Sequence, residues 1–499
     1  MDQNNGGILG KINTPTTSVA SGVWSLDSQF EAQTSSIWPL AFPQTTIANS
    51  CRFETNTYLA KTASSANTKT LTISFWCKRM LLGAPASGGS NQFALSFYQD
   101  SNNRISVAFQ TDNTFVVYAG VGGSNKVYFV TNRVFRDLSA WYNIVIKIDT
   151  TQSTEADRFK LYINGIQETS FSSSTYPSQN DDLIVNTNIY VGTYNTSVNY
   201  ISGYLAELIY VDGTALDQTS FGATNPVTNI WEPIAYAGTY GTNGFRLDFA
   251  DSSNLGNDAN GGTDLTEYNL VSTDQSTDTC SNNFATMNPL DNHFASSTFT
   301  EGNTKIVTDA SAKAANTSTF GISSGKWYCE IKAVQIYNGY AQFGIKGTVP
   351  TSTTDGVGDG TDGYAYTASG GNKVNNGSAT SYGTVWNNND IIGIAVDLDN
   401  NKLYFSRNGT WQNSGDPTSG STGTGAAFSL GTPSSGAYYI ATSDGDTSGG
   451  SANTYEFNFG NSPFTISSGN ADANGHGNFE YAVPSGYFAL CTKNLSENG

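Results

Sequence analysis

Charge is what this 499-residue chain has least of. Asp, Glu, Lys and Arg together make up 13% of it, about half the usual share. Lys and Arg number 23 against 41 Asp and Glu, for a net charge of −18. That balance argues against nucleic acid, whose phosphates need basic patches. No apolar run approaches the roughly 18 to 20 residues of a helical bilayer span, so no membrane insertion is expected. The opening MDQNNGGILG has neither a basic n-region nor an apolar h-region, and a Sec-type signal peptide is not expected. The five cysteines are an odd number with no C-x-x-C spacing. Cys77 in TISFWCKRM and Cys329 in KWYCEIKAV sit in apolar contexts, which predicts buried free thiols rather than a zinc site or disulfide framework. Synthesis in a reducing cytosol fits that pattern. There is no heptad repeat and so no coiled-coil stalk.

Hydrophobic residues are not scarce: they make up 37% of the chain, with 27 Tyr, 27 Phe and 8 Trp. Aromatic and β-branched residues in short runs between Gly, Asn, Asp and Ser clusters predict an all-β chain. Its length exceeds one ordinary core, so several domains are expected. Residues 1–45 read as an N-terminal arm. Within it a short helix is predicted near Leu26–Gln33, with Ser25 as N-cap and Asp27 near the positive end of the helix dipole. Trp24, Phe30 and Trp38 give this arm large apolar groups that dock either on the chain's own first domain or on another protein. Arms of this kind order on assembly, which favours a partner. Residues 46–250 hold eight or more short strands, as a β-sandwich or jelly roll requires. Residues 251–279 read as a polar linker, and 280–499 as a second strand-rich sandwich.

One device occurs twice. In IIGIAVDLDNNKLYFSRNGTWQ, Ile392, Ile394, Val396 and Leu398 share one face of a strand, and Leu403 and Phe405 face inward on the next. Asn408-Gly409 then supplies the positive φ of a type I′ hairpin. Upstream, Ile144, Ile146 and Ile148 pair with Phe159, Leu161 and Ile163, and Asn164-Gly165 closes the next hairpin. Turn chemistry and alternation explain both copies as scaffold.

On those residues the upstream stretch, with IYVGTYNTSVNYISGYLAELIYVDGTAL after it, resembles the laminin-G/concanavalin-A-like lectin sandwich. The downstream stretch, with GDGTDGYAYTASGGNKVNNG before it, resembles a SPRY domain through D-I-I-G-I-A-V-D-L-D and L-Y-F-S-R-N-G. The arrangement GVWSLDSQFEAQ, FGATNPVTNIWEPIAYAGTYGTNGFRLDFAD and TDTCSNNFATMNPLD resembles virion proteins of marine tailed bacteriophages, of the tail-fibre or lectin-like kind. The last resemblance implies localisation in a virion made in a bacterial host cytoplasm.

Chemistry is sparse. A glycosidase needs two carboxylates facing one sugar. Glu207 and Asp212 are placed on opposite faces of their strand, Glu330 stands alone, and no E-x-D-x-x-E strand is present. The two histidines, His293 and His476, fall in loop-like sequence without a G-x-S-x-G elbow or H-E-x-x-H helix. No enzyme is expected, and no cofactor. Calcium is the one metal with candidate ligands: Asp355, Asp359 and Asp362 in a Gly-rich loop, and Asp444 with Asp446. Solvated turns account for both groups more simply. For ligand binding, Tyr364, Tyr366 and Trp386 with Asn387, Asn388 and Asn389 combine aromatic faces and amides, and Tyr194 and Tyr200 flank the polar loop NTSVN. Cross-strand packing is the plainer role for any one of these tyrosines.

The expected protein is therefore a non-catalytic phage structural adhesin that binds host surface glycan or protein. Its arm would meet other virion proteins, and it would assemble as a homo-oligomer. A purely architectural role, as capsid decoration, collar or fibre connector, is the alternative.

Overall fold

The computed structural model describes the chain except residues 1–23, 36–44, 65–66, 186, 197, 227, 292–296, 310–313, 338, 340, 349–355 and 445–451. Trp38, His293, Asp355 and Asp446 therefore lie outside the described residues. Two compact units emerge: residues 1–46 with 218–237, and residues 47–217 with 238–499.

The smaller unit contains the helix Leu26–Thr34 and a hairpin of Gly222–Thr224 with Trp231–Pro233. Ser25 caps the helix as expected, its Oγ accepting from the Ser28 amide at 3.1 Å. The arm is not separate from the chain that follows: the Thr45 amide donates to the Pro233 carbonyl at 3.0 Å. Trp24 is half-buried, while Phe30 is 67% exposed.

The larger unit holds both sandwiches, and all-β architecture is confirmed. In the first, one sheet runs in the order Ile166–Gln167, Phe159–Ile163, Trp141–Asp149, Thr70–Arg79, Gly203–Asp212, Ser50–Phe53, Gln275–Ser276, with Phe245–Leu247 also on Gly203–Asp212. The facing sheet runs Phe171–Thr175, Ser124–Val134, Thr114–Val121, Asn103–Gln110, Asn91–Asp100, Asn188–Val191, Tyr58–Thr62, Thr266–Tyr268. Period-two alternation fills the space between them with Ile73, Phe75, Ile144, Ile146 and Leu161 from one sheet and Leu95, Phe97, Val107, Phe109 and Phe129 from the other. Residues 251–279 are not a linker, because two of their segments complete these sheets. Thr266–Tyr268 pairs with Tyr58–Thr62, and Gln275–Ser276 pairs with Ser50–Phe53. A short, polar, edge-strand sequence buries little on its own, so its pairing leaves no hydrophobic signature.

In the second sandwich, a nine-stranded sheet centred on Lys326–Gln335 and Ile391–Asp397 faces a six-stranded sheet centred on Ala341–Lys346. The repeated hairpins form as the sequence predicts. Asn164 and Gly165 have φ of 48° and 77°, and Asn408 and Gly409 have 47° and 76°.

The two sandwiches meet over buried polar groups. Lys78 Nζ lies 2.7 Å from Asp278 Oδ2, with both side chains almost wholly excluded from solvent. Asp278 also accepts from Trp141 Nε1 at 3.1 Å and the Phe284 amide at 3.2 Å. Nearby, Arg52 donates to the Glu301, Ser462 and Thr273 carbonyls, and the Tyr204 hydroxyl to the Gly302 carbonyl at 2.8 Å.

Cys51, Cys77, Cys329 and Cys491 are buried and unpaired, and Cys280 is half-buried. Burial pushes the Cys77 thiol up to about 12 and the Cys491 thiol up to about 11. A thiol-specific reagent at pH 8 should therefore label at most Cys280 within minutes, and all five thiols only after unfolding. Fast native labelling of Cys77 would contradict this packing.

Candidate functional site

Alternation that sends Leu95, Phe97, Ile105, Val107, Val117, Phe129 and Ile189 into the first core sends a different set outward. Cross-strand register places Tyr268, Tyr58, Tyr190, Tyr98, Arg104, Tyr118 and Tyr128 on the outer face of that sheet. The face is paved with tyrosine.

At its edge the paving becomes a groove. Tyr58 and Tyr268 are directly opposed across paired strands. Their rings stack with centroids 4.3 Å apart and 7° between planes. Tyr190 tilts against Tyr58 at 6.2 Å. Tyr268 is 41% exposed. With Lys61, Thr62, Asn188, Thr196, Thr263, Asp264 and Thr266 these rings line a groove of about 410 Å³, within the range of small-ligand sites. Thr62 Oγ1 donates to Asn188 Oδ1 at 2.9 Å, so the rim is itself a hydrogen-bonded surface. Asp264 accepts from the Asp258 amide at 3.0 Å and from Asn254 Nδ2 at 2.9 Å. These bonds hold its carboxyl below the usual carboxylate range. Burial lowers Lys61, with Asp258 and Asp264 opposing the shift. Burial raises the Tyr58 and Tyr190 phenols, which stay protonated as donors and acceptors at neutral pH. The groove thus offers stacked aromatic faces for the C–H face of a ring, with hydroxyls, an amide and one carboxylate around them.

Among the described residues lining the groove, Asp264 is the one acidic side chain. The other carboxylates weighed in the sequence have structural duties. Glu207 makes two contacts to Arg246, at 2.6 and 3.0 Å. Asp212 accepts from Asn67 and Asn243. Glu330 is buried and accepts from Tyr328 Oη, Asn458 Nδ2 and the Glu480 and Tyr481 amides.

The ligand residues expected in the second sandwich are placed otherwise. Tyr364, Tyr366 and Trp386 are core residues at 5%, 0% and 1% exposure. Tyr364 and Tyr366 are two apart on the strand Gly363–Thr367, so both point to the inner face. Trp386 stacks on Phe343 at 4.6 Å. Asn387 and Asn389 are exposed, but Asn389 has φ of 69° and shapes the turn. In the first sandwich, Tyr200 is buried beside Tyr58 at 6.3 Å and does not line the groove. Tyr194 is half-buried against Phe93 and Tyr98. Sequence reasoning missed Tyr58, Tyr190 and Tyr268. The available signal was Tyr268, the one aromatic residue of 251–279.

The described calcium candidates are hydrogen-bonded within the chain, Asp359 and Asp362 in loops and Asp444 at the end of the strand Tyr438–Asp444. Asp359 accepts from the Gly356 amide at 2.6 Å, Asp362 from Thr348 Oγ1 at 2.6 Å, and Asp444 from Thr308 Oγ1 at 2.7 Å. Among the described residues no three His, Cys, Asp or Glu side chains converge on a metal position.

Comparison with known families matches residues 53–220 to the concanavalin A-like lectin/glucanases superfamily (Laminin_G_3) and residues 326–460 to the SPRY domain. No curated protein matches the chain in sequence. Among solved structures, the SPRY domain of human HERC1 is 16% identical over 34% of this chain and 96% of its own, with a TM-score of 0.28. The heptameric SAP-like pentraxin from Limulus polyphemus is 16% identical over 41% of this chain and 94% of its own, with a TM-score of 0.26. A human SPRY domain is 14% identical over 33% and 95%, with a TM-score of 0.24. The two family matches find both expected domain families. Lectin-like and SPRY domains are typically non-catalytic binding domains.

Proposed function

We propose that this chain is a non-catalytic phage virion protein, an appendage adhesin whose first sandwich binds host surface glycan through the Tyr58–Tyr190–Tyr268 groove. The observation that carries the reading is the groove itself, a stacked and partly exposed tyrosine pair ringed by hydroxyls and an amide. A pyranose lays its C–H face on such a pair and its hydroxyls on the rim. With a single carboxylate at the rim, binding without hydrolysis is the chemistry on offer. The virion assignment draws on the sequence resemblance to marine phage structural proteins. The arm supports docking to other virion proteins, since Phe30 stands exposed on its helix. A homo-oligomer is proposed on the same basis.

A glycan array probed with the labelled full-length chain tests this. Wild type should retain a restricted set of glycans, and Tyr268→Ala should weaken them at least about tenfold, as loss of an aromatic anchor does. Retention of no glycan by a folded chain that still joins virions would replace adhesion by the purely architectural role. Release of reducing sugar would overturn the non-catalytic reading.

A further inference from the structure

Beyond the groove, the tyrosine face contains an arginine whose neighbours are rings and which makes no hydrogen bond or ion pair among the described residues. Arg104 lies opposite Tyr98 on one neighbouring strand and opposite Gly120 on the other. Its guanidinium carbon sits 4.4 Å from the Tyr118 ring centroid and 5.7 Å from that of Tyr194. Gly120 makes this possible, because a Cβ there would come within 2.3 Å of the Tyr118 hydroxyl. All but one of the other arginines in this sandwich are engaged. Arg133 meets Glu168, Arg246 meets Glu207, and Arg52, Arg79 and Arg158 donate to carbonyls. The exception is Arg136, whose side chain is exposed. Arg104 makes no hydrogen bond or ion pair among the described residues, although it is half-buried. Asp100, an acid that Arg104 influences, is held by Asn103 Nδ2 at 2.9 Å and the Asn102 amide at 2.7 Å, with Arg104 adding to its ionisation.

We infer that Arg104 is the anion-reading element of this face, which takes a carboxylate-bearing sugar, a uronic acid unit, on the Tyr98–Tyr118–Tyr194 patch. A guanidinium stacked on an aromatic ring keeps its N–H edge free, and that edge matches the two oxygens of a carboxylate. The sugar ring attached to the carboxylate then rests on a neighbouring tyrosine. A chain of net charge −18 repels acidic glycans in general, so an acid preference has to come from a local site.

The inference rests on the glycan-binding reading of this face, and the test separates the two. The full-length chain is titrated calorimetrically with a galacturonic acid hexamer and with its carboxyl-reduced counterpart. The acid form should bind at least tenfold tighter. Arg104→Gln should bring the ratio to about one, and Arg104→Lys, which keeps charge without the planar fork, should restore only part of it. Circular dichroism verifies that both variants fold. Equal affinity for the two hexamers, no binding of the acid hexamer, or an undiminished ratio in Arg104→Gln would each overturn the inference. The array result judges the glycan reading independently of any of these.

Discussion

Asp278→Ala should destabilise the chain by about 3–5 kcal/mol, the cost of stranding one member of a buried ion pair, and should split one unfolding transition into two. Lys78 would be left in the junction with the Asn283 side chain at 2.8 Å, the Phe284 carbonyl at 3.2 Å and the Tyr204 ring at 5.7 Å for its ammonium, and no counter-charge among these. Trp141 Nε1 and the Phe284 amide would lose their acceptor as well. Lys78 and Trp141 belong to the first sandwich, whereas Phe284 bridges to Cys491 in the second. Asp278 therefore couples two separately packed cores, beside the junction bonds of Arg52 and Tyr204. Guanidinium titration followed by tryptophan fluorescence and by circular dichroism reads the outcome. Wild type should give coincident curves, and the variant non-coincident ones. Replacing both members, as Lys78→Met with Asp278→Leu, should recover much of the loss, because the unpaired charge is then gone. If Asp278→Ala unfolds in one transition at the wild-type midpoint, the pair does not join the sandwiches.

The scaffold was the legible part of the sequence. Ile144, Ile146 and Ile148, or Ile392, Ile394 and Val396, announce their strands by period two, and Asn-Gly announces each turn through the positive φ it tolerates. The same alternation was legible for Tyr364 and Tyr366, but it does not say which face of a strand is the core. Two aromatics in register fit an outward platform and an inward packing pair equally well, and here the inner face claimed them. The groove was hidden for another reason. Tyr58, Tyr190 and Tyr268 come from strands far apart in sequence, and their meeting depends on which edge strand adds to which sheet. No local pattern encodes that choice. The polar segment around Tyr268 joins by backbone hydrogen bonds, which any sequence can make.

Stability should be highest near pH 5 and should fall toward pH 8, against the common trend for acidic proteins. Two junction carboxyls set this slope. Burial, with the Glu301 carboxylate nearby, pushes Glu54 up to about 7. Burial raises Asp274 to about 6, even though the Val271 amide and Arg52 pull it down. Both groups bind protons more tightly folded than unfolded. Their contribution is complete below the unfolded carboxylate range and is lost as pH rises through 6 to 7. At 1.36 kcal/mol per unit, and with the two groups sharing Arg52 and Glu301 as neighbours, the loss between pH 5 and 8 is roughly 2–4 kcal/mol. Asp149, Glu168, Asp217, Asp362 and Asp390 shift the other way. What they contribute is lost only as pH falls through their lowered values, so they bound the optimum on the acid side. Denaturation midpoints measured from pH 4 to 8 should show the maximum. Glu54→Gln should flatten the slope between pH 5 and 8, because its amide stays uncharged and keeps an oxygen for the Gly302 amide, which reaches Glu54 Oε1 at 3.4 Å. A variant as pH-dependent as wild type would mean that Glu54 is already ionised in the folded chain and that the junction tolerates its charge.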